Sequence, residues 1–184
     1  MQIIRDISAT VSYTCVATIG FFDGVHMGHR YLIQQVKEIA AAKGLRSALV
    51  TFPVHPRKVM NAAYHPELLT TPEEKTNLLA GTGVDYCLML DFTPDISRLT
   101  AKEFMTQILK ERFQVKYLVI GYDHRFGHNR SEGFDDYVRY GQAIGIEVIR
   151  AQAYTDDIQI DTIQSAPVSS CLLYTSDAAD DRIS

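Results

Sequence analysis

Apolar positions along the chain alternate between short continuous runs and longer segments with helical spacing. The run at 15–19 predicts a strand, the segment 30–43 predicts a helix, and the run at 47–52 predicts a second strand. Apolar residues of the helix recur three and four positions apart, and Gly44 follows where a C-terminal cap is favoured. These three elements indicate a βαβ unit.

The same alternation continues through the rest of the chain. Thr71-Pro72-Glu73-Glu74 is a capping box that predicts a helix to about Ala80, and Thr100-Ala101-Lys102-Glu103 repeats the pattern. Further strands are predicted at 86–90, 117–120 and 146–149, and a last helix at 131–144. Strands separated by helices predict an α/β fold, with a mainly parallel sheet and helices on both faces.

Three loops that carry glycine or histidine follow predicted strands, at 20–29, 51–56 and 121–133. Because ligands of open parallel sheets bind at the carboxyl ends of the strands, we expect these loops to meet at one edge. The sequence therefore predicts a ligand site there.

The first loop reads Gly-Phe-Phe-Asp-Gly-Val-His-Met-Gly-His and has the features of a phosphate site. Its glycines allow close approach of backbone to ligand, and a helix start offers free N–H groups to an anion. His26 and His29 lie one turn apart if the helix has begun, so both could reach the same group. A metal site is the alternative, but no Cys or third His lies near in sequence.

The other two loops allow two interpretations each. Thr-Phe-Pro-Val-His-Pro, ending at Pro56, is either a binding loop or a stiff turn. The segment 121–130 packs aromatic, acidic and basic residues between glycines, as binding loops do, and solvated mobile loops share that composition.

Composition narrows the class of function. With 184 residues, 46% of them hydrophobic, the chain can bury one sizeable core. The net charge is −4 and no basic stripe stands out, which argues against a nucleic-acid binder. No segment has the apolar length of a membrane span and no secretory signal is evident, so a cytoplasmic protein is expected. Cys15 and Cys87 are expected to be buried thiols within strands.

Taken in order, G-F-F-D-G-V-H-M-G-H, T-F-P-V-H-P and G-Y-D-H-R-F-G-H-N-R-S-E-G-F resemble motifs of one enzyme family. That family is the FMN adenylyltransferase module of bacterial bifunctional riboflavin kinase/FAD synthetase. The intervening L-L-T-T-P-E-E-K and L-T-A-K-E-F are similar to it as well. The resemblance implies a Rossmann-like nucleotidyltransferase fold and a reaction in which FMN and ATP give FAD and pyrophosphate, with Mg²⁺.

The resemblance also implies roles for individual residues. His26 and His29 are the expected catalytic residues. The residues expected to contact ATP are Gly20, Phe22, Asp23, Gly28, Ser169 and Ser170. Those expected at the flavin or the reacting phosphates are His55, Pro56, Asp123, Phe126 and Gly127. Phe22 stands where the family often has Asn, and His124 where it often has Phe.

The resemblance ends near Ser170. We expect an adenylyltransferase domain at 1–170, incomplete at its C-terminal end, and a tail at 171–184 that is disordered or artefactual. Two rival functions stay open: a flavin- or nucleotide-binding fragment without turnover, and a related H-x-G-H nucleotidyltransferase with another acceptor. Small-molecule substrates, and neither nucleic acid nor membrane, are the expected partners.

Overall fold

The computed structural model describes residues 1–5, 11–121, 124–128 and 130–155. Six strands form one sheet with every neighbouring pair parallel, in the order β1-β4-β3-β2-β5-β6. The strands are β1 (Gln2–Ile4), β2 (Cys15–Ile19), β3 (Arg46–Thr51), β4 (Tyr86–Met89), β5 (Val115–Ile120) and β6 (Glu147–Arg150). The predicted α/β class with a parallel sheet is confirmed.

Helices connect these strands. They are α1 (Met27–Lys43), α2 (Pro56–Met60), α3 (Pro72–Ala80), α4 (Pro94–Ser97), α5 (Ala101–Phe104) and α6 (Phe134–Ile144), with a π-helical segment, Met105–Lys110, continuing α5. Both capping boxes are present, because Thr71 and Thr100 each accept from the N–H three residues on while the glutamate there accepts in return. Gly44 and Gly145 end α1 and α6 in the left-handed conformation.

The sheet is covered on both faces, as its strand sequences require. Val16 and Leu49 pack toward α1 and α3, while Ala17 and Val50 belong to the core under the α5–π segment and α6. Successive residues of β2 thus enter different cores, which is the two-residue period of a strand buried on both sides. Cys15 and Cys87 are buried in β2 and β4, as predicted.

The strand order reverses between β2 and β5. The chain goes from β2 to β3 and β4 on one side, whereas β5 and β6 lie on the other side of β2. A crevice at such a reversal is the usual ligand site of an open parallel sheet. The loops after β2 and β5 therefore flank the expected position of a ligand.

Several boundaries differ from the predicted ones, and four short elements were missed: β1, α2, α4 and a 3-10 turn at Asp23–Val25. α1 begins three residues before the predicted 30, and α6 begins at Phe134 rather than at 131. β1, α2 and α4 are too short to show an apolar period; α2 and α4 follow caps, His55 and Thr93, that precede a proline. The predicted tail at 171–184 lies outside the described residues.

We predict that Thr100→Ala lowers the free energy of unfolding by about 1 kcal/mol, because the side chain caps α5 and the capping box is lost. Thr106→Ala is the matched control on the same helical segment, since its hydroxyl only donates back to the Lys102 carbonyl. Urea unfolding of both variants measures the difference. Equal losses would contradict a specific capping role.

Candidate functional site

The loop after β2 turns sharply before α1 begins. Phe22, Gly24 and Val25 have positive φ angles of 57°, 73° and 41°. Glycine adopts this conformation freely, whereas Phe and a β-branched Val adopt it at a cost in free energy. Asn tolerates it better than Phe, which gives a physical reason why Asn suits position 22.

Asp23 holds this turn. Its carboxylate accepts from the N–H of Leu69 at 2.8 Å and from the N–H and hydroxyl of Thr70 at 3.0 and 2.9 Å. The Thr70 hydroxyl is in turn 3.2 Å from the N–H of Gly24. Asp23 was predicted to contact ATP; in this structure both carboxylate oxygens bond to the chain that precedes α3, and the side chain is buried.

His26 is the N-cap of α1 and not a residue within the helix. Its Nδ1 accepts from the N–H groups of Gly28 at 3.0 Å and His29 at 3.4 Å. A ring that accepts at Nδ1 carries its proton at Nε2 when neutral, so we assign that tautomer from the hydrogen bonds. Burial lowers the pKa of His26 to about 4, partly offset by the charge of Asp23, and the ring is neutral at pH 7.

The Nε2–H of His26 is an unpaired hydrogen-bond donor among the described residues. The atom is buried, and in the described part of the chain it has no hydrogen-bond partner. An unpaired buried donor costs free energy, and a ligand oxygen that accepts from it would recover that cost.

His29 lies directly against His26. The two rings stack with centroids 3.6 Å apart, and the Phe22 ring meets His29 edge-on at 5.2 Å. Burial, together with His26 and Lys75, places the pKa of His29 well below its usual range. The predicted catalytic pair is thus brought together as two neutral rings, with His29 only 2% exposed.

A narrow cavity lies at the reversal between β2 and β5. Gly20, Phe22 and His29 line it from the first loop, and Gly121 and His124 line it from the loop after β5. A Cβ at Gly20 would lie 3.1 Å from the Phe22 ring, so a larger residue here would require that ring to shift. Two of the predicted ATP contacts therefore meet a predicted catalytic residue at the expected crevice.

A larger, mainly apolar pocket adjoins this cavity and shares Ile19 and His124 with it. Its empty space of about 730 Å³ includes a part that is open to solvent. Its apolar lining includes Phe52, Met60, Phe92, Ile96, Leu99 and Phe104. Arg125, His128 and Arg130 add polar and positive groups.

Three of the predicted flavin contacts, Pro56, Phe126 and Gly127, line this pocket. Phe126 is held by Tyr137 of α6, whose ring stacks on it at 4.3 Å and whose hydroxyl accepts from its N–H at 3.0 Å. Gly127 has φ 93°, and a Cβ there would come within 2.6 Å of the Ala101 nitrogen. The third loop can therefore pack on α5 only with glycine at 127.

His55 does not line the pocket. Its Nδ1 accepts from the Arg57 N–H at 3.2 Å and caps α2, and its ring lies between Phe21 and Tyr64. Of the other predicted contacts, Gly28 donates to His26, whereas Asp123, Ser169 and Ser170 lie outside the described residues.

Two residues at the site were not predicted as ligand contacts from the sequence. His124 joins the two cavities, and its buried Nε2 has no partner among the described residues. Lys75 is buried beneath the first two loops and donates to a carbonyl of each. The sequence signals for His124 were its position in the 121–130 loop and its departure from the family's Phe. Lys75 ends the L-L-T-T-P-E-E-K motif, but nothing in the sequence indicated its burial, because a lysine in a helix is usually exposed.

We predict that the protein loses stability as the pH falls from about 6.5 to 4. Burial, then Arg57, lowers the pKa of His55 to about 4 from 6.5, so the unfolded chain binds a proton in this range before the folded one does. The stabilisation is complete above pH 6.5 and is lost toward pH 4. For His55 alone it amounts to at most about 3 kcal/mol.

His55→Asn tests this contribution, because Asn caps a helix and does not titrate. Urea unfolding at several pH values should give a shallower acid slope for this variant than for the wild type. His65→Asn, on an exposed side chain, is the control for loss of an imidazole. An unchanged slope in His55→Asn would contradict the prediction.

Comparison with known proteins assigns the chain to a family. The model of the FAD synthetase family matches residues 8–166. The bifunctional riboflavin kinase/FMN adenylyltransferase of Escherichia coli K12 is 34% identical over 153 residues, which are 83% of this chain and 49% of that protein. The Listeria monocytogenes protein of the same name is 36% identical over 68% of this chain and 40% of its own length. This chain thus spans about half the length of the curated relatives.

Solved structures share the fold. The crystal structure of a macrolide-efflux protein from Streptococcus pneumoniae matches with a TM-score of 0.72 and 28% identity, over 84% of this chain and 50% of that one. Pantothenate synthetase from Thermus thermophilus matches with a TM-score of 0.57 at 12% identity, over all of this chain and 71% of that one, which concerns the fold alone. Within the described ranges, no helix has both the length and the apolar character to cross a membrane. Given the extent of the family match, the chain belongs to the FAD synthetase family.

Proposed function

We propose that this chain transfers AMP from ATP to FMN and releases pyrophosphate, giving FAD. The observation that carries the proposal is the adjacency of two cavities at the β2/β5 reversal. One is bordered by the glycine loop and His29, and the other has the apolar and aromatic lining that suits a flavin ring. The relatives named above are FMN adenylyltransferases, which supports the same substrates.

The reaction needs no protein nucleophile. A phosphate oxygen of FMN, already anionic at neutral pH, forms a bond to the α-phosphorus of ATP, and the bond from that phosphorus to the bridging oxygen breaks. Negative charge then grows on the pyrophosphate that leaves. The task of the protein is to align the two phosphates and to stabilise this charge.

His26 has an unpaired buried donor of the kind this task needs, and its ring stacks on His29, which lines the narrow cavity. Its neutral ring offers one fixed Nε2–H donor, because the capping bonds hold Nδ1 as an acceptor. A donor held in place before reaction needs no reorganisation when charge develops. We assign His29 to the same phosphate site; its contact with His26 fixes the orientation of both rings.

Mg²⁺ is proposed to arrive with the nucleotide. Among the described residues, no group of three or more His, Cys, Asp or Glu side chains could hold a metal ion. Mg²⁺ is commonly bound through substrate phosphates and water with few protein ligands, where it neutralises phosphate charge. We place the reaction in the cytoplasm, where ATP is available. We further propose that the domain extends over residues 1–170. Ser169 and Ser170 are proposed to contact ATP, and Asp123 the flavin or the reacting phosphates.

Incubation of the chain with FMN, ATP and Mg²⁺, followed by chromatographic separation of FAD from FMN, tests the activity. FAD formation supports the proposal. Binding of FMN without FAD formation would indicate a binding fragment without turnover. Failure to bind FMN would favour another acceptor of AMP. The same assay with nicotinamide mononucleotide or phosphopantetheine in place of FMN would test that alternative.

We predict that His26→Asn lowers the rate of FAD formation on the order of 100-fold, with little change in FMN affinity, because a donor to the leaving phosphate is lost. Asn retains the capping bonds, so stability should stay close to that of the wild type. His26→Ala should lose as much activity and in addition about 1 kcal/mol of stability. Equal losses in turnover and FMN binding would contradict the proposed role.

We also predict that Gly127→Ala weakens FMN binding more than ATP binding. The added Cβ collides with Ala101 and displaces the wall of the apolar pocket. Gly133→Ala is the matched control in the same connection, because a Cβ there meets no atom within 4 Å. Titration of each variant by flavin fluorescence and by calorimetry with ATP measures the two affinities, and equal effects of both substitutions on FMN affinity would contradict the assignment.

A further inference from the structure

Lys75 is a buried lysine that the proposed reaction does not use. It lies on α3 and is 2% exposed, although lysine is almost never fully buried without a partner. Its Nζ donates to the carbonyl of Phe21 at 3.0 Å and to the carbonyl of Phe52 at 2.7 Å. It also lies 3.8 Å from the centre of the Phe21 ring, a cation–π contact.

These two carbonyls belong to the two loops that carry the site. Phe21 follows β2 in the loop that leads to His26, and Phe52 follows β3 in the loop that leads to Pro56. A single amine therefore joins the glycine loop to a wall of the apolar pocket. The Thr51 hydroxyl donates to the Phe21 carbonyl as well, at 3.1 Å, which ties the same loops from within the sheet.

The charge of Lys75 is only partly compensated. Within the part of the chain that the structure describes, no carboxylate forms a salt bridge with its Nζ. The Asp23 carboxylate is the facing group that favours the charged amine, whereas the nearby Cys87 thiol, whose pKa burial raises to about 11, is uncharged at neutral pH. On its other sides lie His29 and His55, whose pKa values Lys75 lowers.

We infer that Lys75 is a positioning residue that joins the two site loops, and that binding of a nucleotide phosphate to the first loop is coupled to uptake of a proton by its amine. The inference rests on the proposed function, because it takes the glycine loop as the phosphate site. A partly compensated buried cation gains most from an anion that enters nearby, since the interior screens charge weakly.

The direction of the pH dependence follows from burial. Desolvation lowers the pKa of Lys75 to about 8, against the opposing charge of the Asp23 carboxylate. A bound triphosphate stabilises the charged amine and raises this pKa. Nucleotide affinity is therefore highest below the pKa that Lys75 has in the nucleotide-free protein, and it falls as the pH rises above that value. The fall is tenfold if binding raises the pKa of Lys75 by one unit.

Calorimetry on the whole chain tests the coupling. A non-cleavable ATP analogue with Mg²⁺ is titrated at roughly pH 8.5 in two buffers with different enthalpies of ionisation, which gives the number of protons taken up. His26, His55 and His124 have pKa values near 4, 4 and 3, so they do not titrate there. Uptake of a fraction of a proton by the wild type is expected, and binding without uptake would overturn the inference.

Two lysine variants test whether Lys75 is the group that takes up the proton. Lys75→Met should abolish the uptake and bind the analogue on the order of tenfold more weakly at pH 7, with a pH profile that no longer falls above pH 8. Lys37→Met is the matched control, because Lys37 also donates to a backbone carbonyl, that of Thr82, but touches neither loop. Persistent uptake in Lys75→Met, or equal effects of both substitutions, would overturn the inference.

The outcome for the proposed function is separate. If the unmodified chain neither forms FAD nor binds FMN, the proposed function is refuted. If it forms FAD but takes up no proton on nucleotide binding, only the role of Lys75 is refuted. The wild-type measurement does not require the variants to fold. Lys75→Arg, which keeps a permanent charge, should bind at pH 7 more tightly than Lys75→Met and show no proton uptake.

Discussion

The structure depends on how the turn after β2 is held in a backbone conformation that its own residues disfavour. Phe22 and Val25 both have positive φ, at a cost on the order of 1–3 kcal/mol each. The turn is fixed from outside, by Asp23 bound to Leu69 and Thr70 and by Lys75 bound to the Phe21 carbonyl. The chain around α3 therefore determines where α1 begins, and with it the position of His26.

For the proposed phosphate site, oriented donors matter more than charged side chains on its walls. Burial keeps His26 and His29 neutral at pH 7, so they contribute N–H dipoles and not full charges. A neutral donor is cheaper to bury than an imidazolium, and its direction is set by the bond at the other ring nitrogen. Lys75 supplies a buried positive charge, and its amine donates to the carbonyls of Phe21 and Phe52 in the loops after β2 and β3.

The fold was largely predictable because its strands and long helices carry strong periods and caps. Cys15–Ile19 was predicted to the residue, and both capping boxes, at Thr71 and Thr100, were found from sequence alone. At the site, the structure brings His26 and His29 together and places Phe126 in the wall of the apolar pocket, while the roles assigned to these residues stay predictions. The hydrogen-bond partners of Asp23 and the buried positions of His55 and Lys75 were not predictable, since each depends on residues distant in the chain.

The sequence by itself determined the alternation of strands and helices, the family, and the loops in which ligand chemistry is concentrated, because periodicity, caps and motif spacing are local properties. Tertiary structure decided which side chains of those loops face a cavity. His29 lines the narrow cavity and His26 beside it keeps an unpaired donor, while Asp23 and His55 bond to backbone groups. The physical reason is that a buried polar side chain bonds to whichever donor or acceptor the packed neighbours present, and packing brings together residues that the sequence separates.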